Sequence, residues 1–178
     1  MRISAAIATG AILAVFTASL SHGMDGELLS KAGLQEIRQK APDFSLKMGD
    51  RTIGLVDCAG KVVILHFWAT WCKPCKEEFP LFEKMYWKFK DKEVVFLPIS
   101  VDIGVTKEEI DAFAKGLGAS FPAYLARSGN VTDKYWTWGV PVTYFIDKRG
   151  WIIGRAMGPR DWTSPETFNL IEDLLRGN

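Results

Sequence analysis

The stretch Val62-Val63-Ile64-Leu65-His66-Phe67-Trp68, followed after Ala69-Thr70-Trp71 by Cys72-Lys73-Pro74-Cys75, decides the fold. The first run is apolar except for His66 and β-branched at its start, the pattern of a buried strand. Behind the cysteines, Phe79, Phe82, Met85, Tyr86 and Phe89 recur at helical spacing, with Pro80 expected to kink the helix. The two thiols therefore sit at a strand-to-helix junction. Free N–H groups and the positive end of the helix dipole favour a thiolate there. Cys72, nearest the open end, is expected to be the attacking thiolate, and Cys75, one turn deeper, the resolving thiol. Pro74 is tolerated because the first turn has no N–H partners to lose. Lys73 either adds a favourable charge beside the thiolate or is a solvated side chain.

Other uses of a Cys-x-x-Cys pair fit less well. A structural zinc site needs four ligands, and His22 and His66 are the only histidines beside one cysteine pair. Copper handling by two thiolates and a static structural disulfide are the remaining alternatives. The third cysteine, Cys58, makes the count odd, which suits one reactive pair plus one solitary thiol. Cys58 reads as a small buried hydrophobe or as a regulatory or intermolecular thiol.

The 178 residues suffice for one domain and a targeting segment, and a net charge of +1 gives no reason to expect a nucleic-acid partner. Arg2, the apolar run Ala5 to Leu20 and the small residues Ser19, Ser21 and Gly23 have the pattern of a secretory signal. The readings are cleavage after Ser21 or Gly23, or an uncleaved N-terminal membrane anchor. Either places the domain outside the cytoplasm, in the periplasm. No cysteine stands there for lipid attachment. The expected organisation is a leader over 1–23, an N-terminal extension over 24–40 and one domain over 41–178. Leu28, Leu29, Ala32, Leu34 and Ile37 give the extension a loose helical stripe.

Phe44-Ser45-Leu46 and Thr52-Ile53-Gly54-Leu55 read as a hairpin turning at Met48-Gly49-Asp50. Val94 to Val101 is a strand, and Thr106-Lys107-Glu108-Glu109 is a capping box opening a helix to Leu117. Tyr124 to Ala126 is a short strand and 131–137 a brief helix. Val142 to Ile146 and Trp151 to Ala156 form an antiparallel hairpin. Thr163-Ser164-Pro165-Glu166 caps a last helix that buries Phe168, Ile171, Leu174 and Leu175. The order predicts an α/β fold whose sheet is parallel in its first half and antiparallel in its second.

Phe67 to Cys75 resembles the active-site motif of the thioredoxin superfamily, and Pro80 falls where that fold has a helix-kinking proline. Gly139 to Asp147 resembles the superfamily's loop with a cis proline before a strand. The exported TlpA/ResA-like branch is most similar, from about Ala41 onward. The resemblance implies a central mixed sheet flanked by helices, with an N-terminal hairpin and a central helix-strand insert. It implies a thiol:disulfide oxidoreductase with no cofactor beyond the redox-active Cys72–Cys75 disulfide. Reduction of protein disulfides is the expected direction, with oxidase, isomerase or copper-binding chaperone as alternatives. Expected partners are apocytochrome c or a copper-site protein as substrate and a membrane thiol carrier as electron donor. Pro141 is expected in cis against the cysteines, leaving the Val140 backbone free for an extended substrate, with Trp71 and Trp138 beside it. Tyr135, Trp136 and Trp138 form an apolar rim if exposed and core if buried. Glu78 matches a glutamate that tunes thiol ionisation in ResA-like proteins; Glu77 is the surface alternative. His66 stands where thioredoxin has a buried aspartate, and reads as a proton relay for Cys75 or as a satisfied core histidine.

Overall fold

The computed structural model describes residues 21–177. The expected leader therefore lies outside the described residues, except for Ser21–Gly23, which enter the first helix. The elements in chain order are α1 (Ser21–Lys31), β1 (Gln35–Lys40), β2 (Ser45–Met48), β3 (Arg51–Gly54), β4 (Val62–Trp68), α2 (Lys73–Phe89) and β5 (Val94–Ser100). They continue with α3 (Lys107–Gly116), β6 (Tyr124–Leu125), α4 (Val131–Lys134), β7 (Val142–Ile146), β8 (Trp151–Met157) and α5 (Pro165–Arg176). Among the described residues no helix is long and apolar enough to cross a membrane.

Six strands form one sheet in the order β1-β8-β7-β4-β5-β6. β4 pairs parallel with β5 and antiparallel with β7, so it lies at the centre and is buried on both faces. That is why it reads as a continuous apolar run. Its alternate residues serve two cores. Val62, Ile64 and Trp68 face α2, α5 and Ile110 and Ala114 of α3. Val63, Leu65 and Phe67 face Leu46 of the hairpin, Val131 and Tyr135. The period-2 alternation puts His66 on the α2 side.

The hairpin β2–β3 closes on Gly49-Asp50, with Met48 opposite Arg51 and Gly49 at φ +62. The capping box at Thr106 forms as expected: Thr106 Oγ1 accepts from Glu109 N, and Glu109 accepts from Thr106 N. At α5 the cap moves one residue on. Ser164, not Thr163, accepts from Thr167 N, because Pro165 fits the first helical position.

The helical stripe expected over Leu28–Ile37 is corrected. α1 ends at Lys31, Gly33 takes φ +68, and the chain turns into β1. β1 pairs antiparallel with β8, so residues 35–40 of the expected extension are the sheet's edge strand. Leu29 and Leu34 are buried against Gly154 of β8, where a side chain on residue 154 would meet both.

The hairpin is tied to the domain through the segment before α4. Asn130 N donates to Ser45 O, Ser45 N to Asn130 Oδ1, and Lys47 N to Ser128 Oγ. The backbone passes so close that a Cβ on Gly129 would lie 1.7 Å from Ser45 O. Gly129→Ala is therefore expected to destabilise the fold by about 3 kcal/mol, since backbone must shift to admit the methyl. Urea denaturation checks this, and a loss below about 0.5 kcal/mol would contradict the close approach.

Candidate active site

The three residues after β4 carry the chain from the sheet into α2, and Cys72 becomes the helix N-cap. Its Sγ accepts from Cys75 N at 3.2 Å, taking the role that a serine or aspartate oxygen usually fills. Pro74 lies in the first turn, where no N–H partner is lost. Cys72 and Cys75 are joined as a disulfide with Cα atoms 5.3 Å apart. Cys75 is fully buried, while Cys72 keeps 4% of its surface exposed. The Val140–Pro141 peptide is cis, and Val140 O lies 3.6 Å from Cys72 Sγ. The structure thus brings Cys72, Cys75, Val140 and Pro141 together.

The aromatic residues divide. Trp71 and Trp138 are 69% and 90% exposed beside the disulfide and the cis proline. Trp136 is half exposed, with the Arg155 guanidinium over its ring at 5.1 Å. Tyr135 is core: it packs on Phe44 and Tyr144 and donates to Pro42 O. Lys73 is solvated, 3.8 Å from Glu77, which is also exposed.

Glu78, one helical turn beyond Cys75, is buried with 2% exposed. Its Oε2 accepts from Trp162 Nε1 at 2.8 Å and from Arg160 N at 3.1 Å. Its Oε1 faces His66 Nε2 at 3.5 Å, and neither atom has another hydrogen-bond partner. His66 is wholly buried, stacked on Phe82, with Nδ1 2.9 Å from Thr143 Oγ1. Burial pushes the Glu78 carboxyl up to about 7, against the Arg160 and Trp162 donors, which favour the carboxylate. Burial also pulls the His66 imidazole down to about 3. The Thr143 hydroxyl can donate to Nδ1 or accept from it, so it serves either tautomer. One proton can then lie between Nε2 and Oε1 without creating a buried net cation.

Sequence reading missed Trp162 and Arg160. Trp162 is 84 residues from Glu78 in a loop with no motif of its own. Cys58 is buried at the other end of the sheet, its thiol pushed up to about 11 by burial. A cavity of about 260 Å³ beside it, lined by Lys40, Val63 and Asp147, shares no residue with the redox pair. Among the described residues no three His, Cys, Asp or Glu side chains converge as a metal-ligand set.

A mixed sheet whose central strand delivers a Cys-x-x-Cys disulfide to a helix N-terminus, against a cis proline, defines a thioredoxin-like thiol:disulfide oxidoreductase. Residues 37–155 match the AhpC/TSA family, and the chain belongs to it. It is 33% identical to thiol-disulfide oxidoreductase ResA of Oceanobacillus iheyensis over 78% of this chain and 74% of that protein. It is 32% identical to ResA of Bacillus cereus over 93% of this chain and 91% of that one. The crystal structure of StoA from Bacillus subtilis superposes with a TM-score of 0.59 at 25% identity, over 74% of this chain and 96% of StoA.

The buried pair makes a pH prediction. Glu78 is raised from its ordinary 4.5 to about 7, so the folded state keeps a proton that the unfolded state has lost. Its contribution falls as pH rises between these values. His66 is lowered from 6.5 to about 3, so the unfolded state takes up a proton that the folded state refuses. Its contribution rises with pH over that window. The two oppose one another where the windows overlap. In His66→Asn, stability measured by urea denaturation is expected to fall as pH rises from about 4.5 to 7. In Glu78→Gln it is expected to rise from about pH 3 to 6.5. Parallel profiles in the two variants would sink the assignment.

Proposed function

We propose that the protein is an exported, periplasmic reductase of protein disulfides. The observation that carries this reading is the asymmetry of the two sulfurs. Cys72 holds the helix cap beside Val140 and keeps 4% of its surface exposed, while Cys75 is fully buried behind it.

In the reduced enzyme the Cys72 thiolate attacks one substrate sulfur. The other substrate sulfur leaves as a thiolate and takes a proton from solvent. The Cys75 thiol then gives its proton to the Glu78–His66 pair and attacks Cys72 Sγ. The second substrate thiolate leaves and the Cys72–Cys75 disulfide closes, so two electrons pass to the substrate. Glu78 is the proton acceptor, with His66 Nε2 facing its Oε1 and Thr143 fixing the imidazole from the other side. A membrane thiol carrier returns the electrons, and the enzyme uses no cofactor beyond its own cysteine pair.

The substrate lies extended along Val140, pairing by strand addition, with Trp71 and Trp138 as apolar contacts on either side. That ledge suits unfolded chains whose cysteine pairs must be reduced before they receive haem or copper, such as apocytochrome c or a copper-site protein.

The test is a redox titration with substrate trapping. The expected result is one two-electron potential near or below about −200 mV, and a mixed disulfide between Cys72 of Cys75→Ala and a protein of the exported fraction. A potential near −120 mV, or tight Cu(I) binding with no disulfide turnover, would instead support an oxidase or a copper chaperone. In Glu78→Gln the second step is expected to slow by about 10²-fold. Its rate should also lose the pH dependence near 7 that an ionising Glu78 is expected to give the native enzyme. Stopped-flow fluorescence follows this step.

A further inference from the structure

The turn that presents Cys72 is not held by the sheet alone. The β4–β5 ladder ends at Trp68 opposite Ser100, with Val101 N donating to Trp68 O. Beyond it, Ala69, Thr70 and Trp71 lie outside both strand and helix, and their polar groups need other partners. Cys72 N donates to Ala69 O at 3.1 Å. Thr70 is gripped from across the sheet. Its N–H donates to Asp102 Oδ2 at 2.9 Å and its hydroxyl to Asp102 Oδ1 at 2.7 Å. Ser100 fixes the carboxylate in turn, donating to Asp102 Oδ2 at 2.6 Å and accepting from Asp102 N. Asp102 is 4% exposed and Ser100 wholly buried. A buried carboxylate whose oxygens take three neutral donors is costly to place and strongly directional. It stands where the ladder runs out, and continues the β4–β5 connection through side chains to the residue two before Cys72.

We propose that Asp102 is a positioning residue for the redox centre, acting through Thr70 to hold Cys72 at the cap of α2. The clamp keeps the Cys72 sulfur where the Cys75 N–H meets it. A turn free to move would lengthen that contact and weaken the thiolate. It also joins two loops at the substrate mouth. Trp71 and the 78%-exposed Ile103 each directly follow a clamped residue, so one rigid rim carries both. The proposal rests on Cys72 as the attacking sulfur.

The test leaves charge untouched. Thr70→Val keeps the side-chain shape and deletes only the hydroxyl donor, and Thr70→Ser restores it. Reduced protein is labelled with iodoacetamide across pH, and the modified peptide is identified by mass. In Thr70→Val, Cys72 is expected to react about tenfold more slowly at neutral pH, with its pH midpoint raised. Thr70→Ser should stay within about twofold of native. A loss of thermal stability alone, with the native pH profile retained, would overturn the proposal and leave Asp102 a structural cap on β5. If Thr70→Val does not fold, Thr70→Ala read against Thr70→Ser gives the same comparison. Labelling that begins at Cys75 in the native protein would remove the attacking role from Cys72, and this proposal with it.

Discussion

The contact between Cys75 N and Cys72 Sγ joins folding to chemistry in this protein. A helix must find partners for its first N–H groups, and here a sulfur supplies one. The same contact stabilises negative charge on that sulfur when the disulfide opens. Helix capping and a setting that favours a thiolate are thus one interaction, and the neighbouring elements meet at it. β4 delivers the turn, Pro74 suits the first turn of α2, and the cis proline loop brings Val140 against the sulfur from the other side.

Around this contact the fold buries polar groups that a simple core would exclude. His66 and Glu78 lie on the α2 face of the sheet, and Asp102 lies at the end of β5. Each has directional partners: Thr143 for His66, Trp162 and Arg160 for Glu78, Thr70 and Ser100 for Asp102. Buried polar groups cost stability unless satisfied. Their concentration at one end of the sheet contrasts with the apolar packing of Phe79, Phe82 and Phe121 beneath α2. In His66 and Glu78 only the two facing atoms lack a conventional partner, and they face each other. That arrangement suits one proton moving along a single axis.

The opposite end of the sheet is built differently. Cys58 is buried there, and burial raises its thiol far above the range of a reactive cysteine. It behaves as a small apolar side chain packed with Leu46 and Val63. Reactivity among the three cysteines therefore follows from position rather than from chemistry, since the side chains are identical. Only Cys72 combines a helix N-terminus with an opening to solvent.

The resemblance of Gly139 to Asp147 implies the cis proline loop, whereas local patterns are enough to read the central strand, the helix behind the cysteines and the Thr106 cap. Each of these depends on residues close together in sequence: periodicity, caps and the Cys-x-x-Cys spacing. β1 escapes a local reading because Ile37 continues the helical spacing of Leu28, Leu29, Ala32 and Leu34, and pairing with β8 is what makes residues 35–40 a strand. The state of Glu78 and His66 also lay beyond the sequence. Both residues could be named from position, but Glu78 could equally have been a surface helix-start carboxylate. Its burial, its Trp162 and Arg160 donors and its facing His66 come from segments far apart in the chain. The sequence by itself determined the central strand, the helix behind it and which two thiols lie at a helix start, because backbone propensity and spacing are local. The tertiary structure alone decided which ionisable groups are buried and what each one faces, because desolvation and charge pairing depend on what the fold brings together.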